Sequence, residues 1–203
     1  MEKAMQFSKL FITGCDSTTK WLLPWFQDNF YRHNPDATLK VYNFDTFHPK
    51  SKGWFKKPAA MMDASKLAAN VCWLDTDCEV RGNLDGIWNH IEPNKLGMVE
   101  DLPWSRRRQE RWHNSGVVAF QSWPNILSEW VTACDTNPQD GDQEILHALV
   151  REGMRRMIHI SDLPREYNTL RLDLIDNTAP KNVKIMHWTG KKGKDKIRSM
   201  MNG

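Results

Sequence analysis

No stretch of this sequence stays apolar for the roughly 18 residues that a membrane-spanning helix needs. Near the amino terminus the apolar run is only a few residues long and lacks a small-residue cleavage site. Neither a secretory leader nor a membrane anchor is expected, and the reading places the chain in the cytoplasm. Cysteine is scarce: Cys15, Cys72, Cys78 and Cys134 are the full set, and no two have C-x-x-C spacing. That argues against a zinc ribbon and predicts free thiols in a reducing compartment. Net charge is low, +3 from 28 basic and 25 acidic residues, too little by itself to mark a nucleic-acid binder. No internal repeat, low-complexity linker or glycine-rich phosphate loop is present. What is there is a chain of 203 residues, 40% hydrophobic and 26% charged, the composition of one ordinary globular domain over residues 1–203. Its one excess is tryptophan, with 10 residues.

The apolar pattern alternates between the two regular periods. Residues 9–13 read as a strand, broken at 14–18, where Asp16 or Ser17 could cap a helix. Trp21, Leu22, Trp25, Phe26 and Phe30 then recur at helical spacing until Asn34-Pro35-Asp36. Residues 39–44 alternate as a second strand, so the chain opens β-α-β, the unit of a parallel sheet. Further on, 58–69 and 84–91 read as helices and 71–74, 96–99 and 116–120 as strands. Residues 126–134 and 142–151 read as helices, and 157–160 and 183–186 as the last strands. The polar segment 101–112, with Arg106, Arg107 and Arg108, reads as a loop, and 191–203 as a short basic tail. Trp21, Trp25, Trp73, Trp88 and Trp130 fall at core positions, whereas Trp104, Trp112 and Trp188 could offer a flat ring to a sugar.

The strongest local chemistry is Trp73-Leu74-Asp75-Thr76-Asp77. Residues i and i+2 of a strand share a face, so both carboxylates converge at the strand's carboxyl end. Open α/β sheets bind ligands there, and paired carboxylates suit a hard divalent cation such as Mg²⁺ or Mn²⁺. Alone, the motif reads equally well as two solvated acids. Other pieces stand around it in a definite order: Gly53-Trp54-Phe55-Lys56-Lys57-Pro58 upstream, then His113-Asn114-Ser115-Gly116-Val117, Asp142-Gln143, Leu163-Pro164, Tyr167-Asn168 and His187-Trp188-Thr189-Gly190-Lys191-Lys192.

That ordered series resembles the nucleotide-sugar glycosyltransferases of the GT-A fold, and within them glycosyltransferase family 8 with its bacterial and phage relatives. The resemblance implies a mixed, mainly parallel central sheet flanked by helices in a single compact α/β domain. It further implies a Mn²⁺ (or Mg²⁺) ion on Asp75, Asp77 and His187. Thr13, Gly14 and Asp16 would meet the nucleoside, and Lys57, Asp75, Ser115 and Gly190 the rest of the donor. The diphosphate would be held by one or more of Lys191, Lys192 and Lys194. In the family pattern Lys stands six residues after the metal histidine, whereas Gly193 stands there in this chain, so the three lysines remain alternatives. Asn114, Asp142 and Gln143 would lie at the reacting sugar. The implied reaction moves a hexose from a nucleotide-diphosphate sugar, with UDP the expected nucleotide, to a hydroxyl on a glycan, lipid-linked or protein acceptor. Retention by same-face attack fits better than a covalent route, because the amide of Gln143 is a poor nucleophile. Nucleic acid is not an expected partner, and the basic tail could touch anionic membrane only weakly. Three alternatives are a nucleotidyltransferase of related fold, a non-enzymatic or nucleolytic nucleic-acid module, and a non-catalytic sugar binder.

Overall fold

The computed structural model describes residues 5–137 and 140–202; the first four residues of the stretch read for a leader, and Gly203 of the tail, lie outside them. In chain order the elements are β1 (Phe7–Cys15), α1 (Leu23–His33), β2 (Leu39–Asn43), α2 (Lys57–Ala64), β3 (Ala68–Leu74) and β4 (Cys78–Val80). There follow β5 (Leu96–Glu100), α3 (Leu102–Arg108), β6 (His113–Gln121), α4 (Asn125–Thr136), α5 (Asp142–Val150) and α6 (Gly153–His159). The chain closes with β7 (Ile160–Asp162), β8 (Thr169–Leu170), α7 (Arg171–Ile175), β9 (Ile185–His187) and α8 (Gly190–Asn202). The main sheet has six strands in the order β2-β1-β3-β6-β5-β7, and β6 alone runs against the rest. A second sheet of three strands has the order β4-β9-β8.

The central strands read as continuous apolar runs because both faces of the sheet are covered. Strict alternation divides each run between two layers. Leu10, Ile12, Val71, Trp73, Val118 and Phe120 join one core with residues of α2, α4 and α5. Phe11, Cys72, Leu74, Val117 and Ala119 join the other, with Phe26 and Phe30 of α1 and Leu84 and Ile87 beyond β4. A smaller cluster of Leu22, Met186, Trp188 and Ile197 ties α8 down. All four cysteines are buried and free. Among the described residues no helix is long and apolar enough to cross a membrane.

Several expectations shift. Segment 101–112 is not all loop: Asp101 caps α3 by accepting the Trp104 N–H at 3.0 Å, with Pro103 in the first turn. That is a helix start the run of arginines obscured. Residues 157–159 belong to α6, with Met157 and Ile158 exposed, and the strand begins at Ile160, which pairs with Leu96. The helix expected over 58–69 ends at Ala64, because Ala68 and Asn70 already pair with Phe7 and Lys9. The tail is α8, a helix that buries Gly193 and Ile197 and leaves Lys191, Lys192, Lys196 and Arg198 outside.

Candidate active site

The main sheet and the small sheet meet over a cleft of about 410 Å³. It lies at the carboxyl end of the parallel strands. Because β6 is antiparallel, its beginning lies at that same end, where Asp75 N–H donates to the Gly116 carbonyl at 2.8 Å. Asp75 and Asp77 follow β3. Cys78 stands opposite His187 in the β4–β9 ladder, so Asp77 is delivered to the imidazole. Ligand atoms of Asp75, Asp77 and His187 all lie within 4.8 Å of one another. His187 Nε2 is 3.2 Å from Asp77 Oδ1 and 3.8 Å from Asp75 Oδ2. Gly116 makes this packing possible, since a Cβ there would overlap the His187 ring.

A second cluster adjoins the first. Lys57, at the start of α2, is buried, and its Nζ lies 3.0 Å from both Asp75 Oδ1 and Asp142 Oδ2. It also donates to Ser115 Oγ at 3.1 Å, and that hydroxyl donates to Asp142 at 2.8 Å. Gln143 accepts the Ser115 N–H through Oε1 at 3.1 Å, and its remaining amide group is a donor. Trp73 Nε1 donates to Asp75 Oδ1 at 2.7 Å, and the Trp73 ring lies parallel to that of Phe44. Lys57 thus straddles the Asp75 carboxylate, reaching Oδ2 at 3.3 Å as well, while Trp73 holds Oδ1 and His187 lies nearest Oδ2.

Charge follows from these contacts. Burial alone would discharge Lys57, but Asp142 and Asp75 raise its pKa instead. Burial holds the Asp75 carboxyl above the usual carboxylate range, despite the Lys57 ammonium beside it. At Asp77 burial acts the same way, but the His187 imidazole outweighs it and the pKa falls. Burial likewise opposes charge on His187, and Asp77 raises it nonetheless. Two carboxylates and an imidazole form a mixed oxygen and nitrogen donor set with excess negative charge, which fits a divalent ion of the Mn²⁺ or Mg²⁺ kind.

After β1, Asp16 closes a tight turn by accepting the N–H and hydroxyl groups of Thr18 and Thr19 at 2.6–3.1 Å, which lowers its pKa against the effect of burial. Gly14, Asp16, Lys57, Asn114, Ser115, Asp142, Gln143, Gly190 and Lys194 all line the cleft with Asp75, Asp77 and His187. Three expected donor residues do not. Thr13 is buried within β1, with its hydroxyl unpartnered. Lys191 and Lys192 point out from the first turn of α8, whereas Lys194, a turn further on, borders the cleft.

The candidate aromatic platforms lie elsewhere. Trp104 stands edge-on to Trp112, which stacks on His147. Trp188 is buried, donating to Glu79 at 2.8 Å. None of the three lines the cleft. The exposed ring on its wall is Trp54, on a single turn opened by Gly53 at φ +50°. Its place after Gly53 and before the Lys57-Pro58 helix start was the available signal.

No protein-family model and no curated protein matches the sequence. Solved structures do match in shape. A galactosyltransferase, LgtC, in complex with donor and acceptor sugar analogs aligns with a TM-score of 0.63 at 16% identity, over 89% of this chain and 87% of that one. A glycosyltransferase involved in glycosylating the major capsid of PBCV-1 aligns with a TM-score of 0.67 at 14% identity, over 96% and 100%. Mouse xyloside xylosyltransferase 1 gives 0.56 at 13%, over 89% and 97%. The chain has the α/β fold of GT-A glycosyltransferases.

Proposed function

We propose that this protein is a divalent-metal-dependent glycosyltransferase that moves a hexose from a nucleotide-diphosphate sugar, with UDP the expected nucleotide, to an acceptor hydroxyl with retention. The observation that carries the reading is the convergence of Asp75, Asp77 and His187 in a cleft that also presents Lys57, Asp142 and Gln143 beside them. Asp75, Asp77 and His187 would hold the cation, which when bound neutralises the charge building on the departing diphosphate. Lys194 stands beside them as a point charge for a phosphate oxygen. Gly14 and the Asp16 turn border the nucleoside end, where Phe44 packs so close that a side chain at Gly14 would meet its ring.

Asp142 and Gln143 would orient the transferred sugar. Asp142 is neutralised by Lys57 and hydrogen-bonded to Ser115, which suits an acceptor of sugar hydroxyls better than a nucleophile. The free amide donor of Gln143 would stabilise polar atoms of the sugar in the transition state. Rate would come from holding the acceptor oxygen against the anomeric carbon. A nucleotidyltransferase is disfavoured by the loop after β1, where the Asp16 carboxylate turn stands in the place a triphosphate would need cations.

The test is release of nucleoside diphosphate and transfer of labelled sugar in a panel of nucleotide sugars and acceptors. Turnover should stop in EDTA and return with Mn²⁺ more fully than with Ca²⁺; undiminished turnover in chelator contradicts the reading.

A further inference from the structure

His187 offers one ring nitrogen to the carboxylates, and the tautomer decides whether that nitrogen carries a lone pair. The surrounding hydrogen bonds settle the tautomer from a fixed starting point. The Gly116 N–H, which can only donate, lies 2.9 Å from Asn114 Oδ1, so that atom is the amide oxygen. Asn114 Nδ2 accordingly faces the Asp101 carboxylate, at 3.3 Å. Asn168 Nδ2 donates to the same Asn114 oxygen at 2.9 Å. The other end of the Asn168 amide is therefore its oxygen, and it lies 3.0 Å from His187 Nδ1. An oxygen there accepts, so Nδ1 carries a proton, and in the neutral ring Nε2 is left bare toward Asp75 and Asp77. Asn168 is 1% exposed and His187 3%, so water does not compete for these bonds. The placement comes from β8: Leu170 registers against His187, and Asn168 stands two residues before it.

We propose that Asn168 is a positioning residue that holds His187 as the Nδ1–H tautomer, and thereby sets the affinity of the Asp75–Asp77–His187 site for a divalent cation. This rests on the metal-site reading above. The relay runs from a backbone amide through two asparagine side chains to the ring, and it ends on Asp101, the cap of α3.

The experiment measures Mn²⁺ binding directly, from the paramagnetic resonance signal of free Mn²⁺, on purified protein without nucleotide or sugar. Wild type, Asp77→Ala, Asn168→Leu and Asn168→Asp are compared. Asn168→Leu keeps the volume but removes the acceptor, and should weaken binding about 10–100-fold. Asn168→Asp keeps an acceptor for Nδ1–H and should bind more tightly than the leucine variant. Wild-type affinity in Asn168→Leu, or equal losses in both variants, would overturn the proposal. Failure of wild type itself to bind Mn²⁺ would overturn the metal-site reading, and this inference with it. Should the leucine variant not fold, ¹⁵N resonances of wild-type His187 with diamagnetic Zn²⁺ decide: protonated Nδ1 supports the proposal, and protonated Nε2 refutes it.

Discussion

Asp77→Ala should reduce metal-dependent sugar transfer by roughly a thousandfold, because a cation at a departing diphosphate supplies several kcal/mol and each 1.36 kcal/mol is tenfold in rate. The fold should survive. Asp77 follows β3 rather than standing in it, and its charged partner, His187, can lose its proton and stay in its pocket with its Asn168 hydrogen bond intact. The check pairs turnover with a thermal melt. Rates near wild type would remove Asp77 from the metal site, and a collapsed melt would make its role structural.

Lys57→Met should be the most damaging single change to stability near the cleft. Methionine fills similar space but leaves Asp75 and Asp142 without the ammonium that lies 3.0 Å from each. Breaking a buried ion pair by removing one partner costs about 3–5 kcal/mol. For a chain of this length that is a fall in Tm of about 6–20 °C. Replacing Asp142 by asparagine in the same chain removes one of the stranded charges and should recover part of the loss. A single variant that melts with the wild type would show that Lys57 is not the strut described. The same geometry leaves Lys57 no spare donor for a phosphate: its three donor directions are taken by Asp75, Asp142 and Ser115.

Much of this was legible in the sequence, and the physical reasons divide cleanly. Strands β1, β3 and β6 announce themselves as short apolar runs because both faces are covered. The start of β6 does not: His113, Asn114 and Ser115 are polar, yet buried, the first against Asp162 of β7 and the other two in the cleft and its hydrogen-bond network. Strands β4 and β8 are too short for periodicity to show, whereas the apolar pattern puts β9 one to two residues early, at 183–186. The acid pair is readable as a motif at a strand end, but strand alternation does not bring the two together: Asp75 and Asp77 stand beyond β3 in a turn closed by the Cys78 N–H on the Asp75 carbonyl. The partnership of Lys57 with Asp142 is not readable, because it depends on how the starts of α2 and α5 come together on one face of the sheet. Helical phase separates Lys194 from Lys192 and a turn of rise separates it from Lys191; a segment read as an unstructured tail has neither. Asn168 stands in a recognisable pair with Tyr167, but its work depends on the register of a strand of two residues.

The central claim is that nucleotide and metal share one site. The most direct measurement is a thermal-shift series with UDP, UDP-sugars and the corresponding GDP, CDP and dTDP compounds, each with Mn²⁺ and with EDTA. A ligand at 100 times its dissociation constant stabilises the folded state by about 2.7 kcal/mol, a rise of about 5–11 °C in Tm for a chain of this size. The account predicts such a rise with UDP or a UDP-sugar, present with Mn²⁺, abolished by EDTA and absent in Asp77→Ala. A rise of equal size in EDTA, or no rise with any nucleotide in a folded protein, would contradict it.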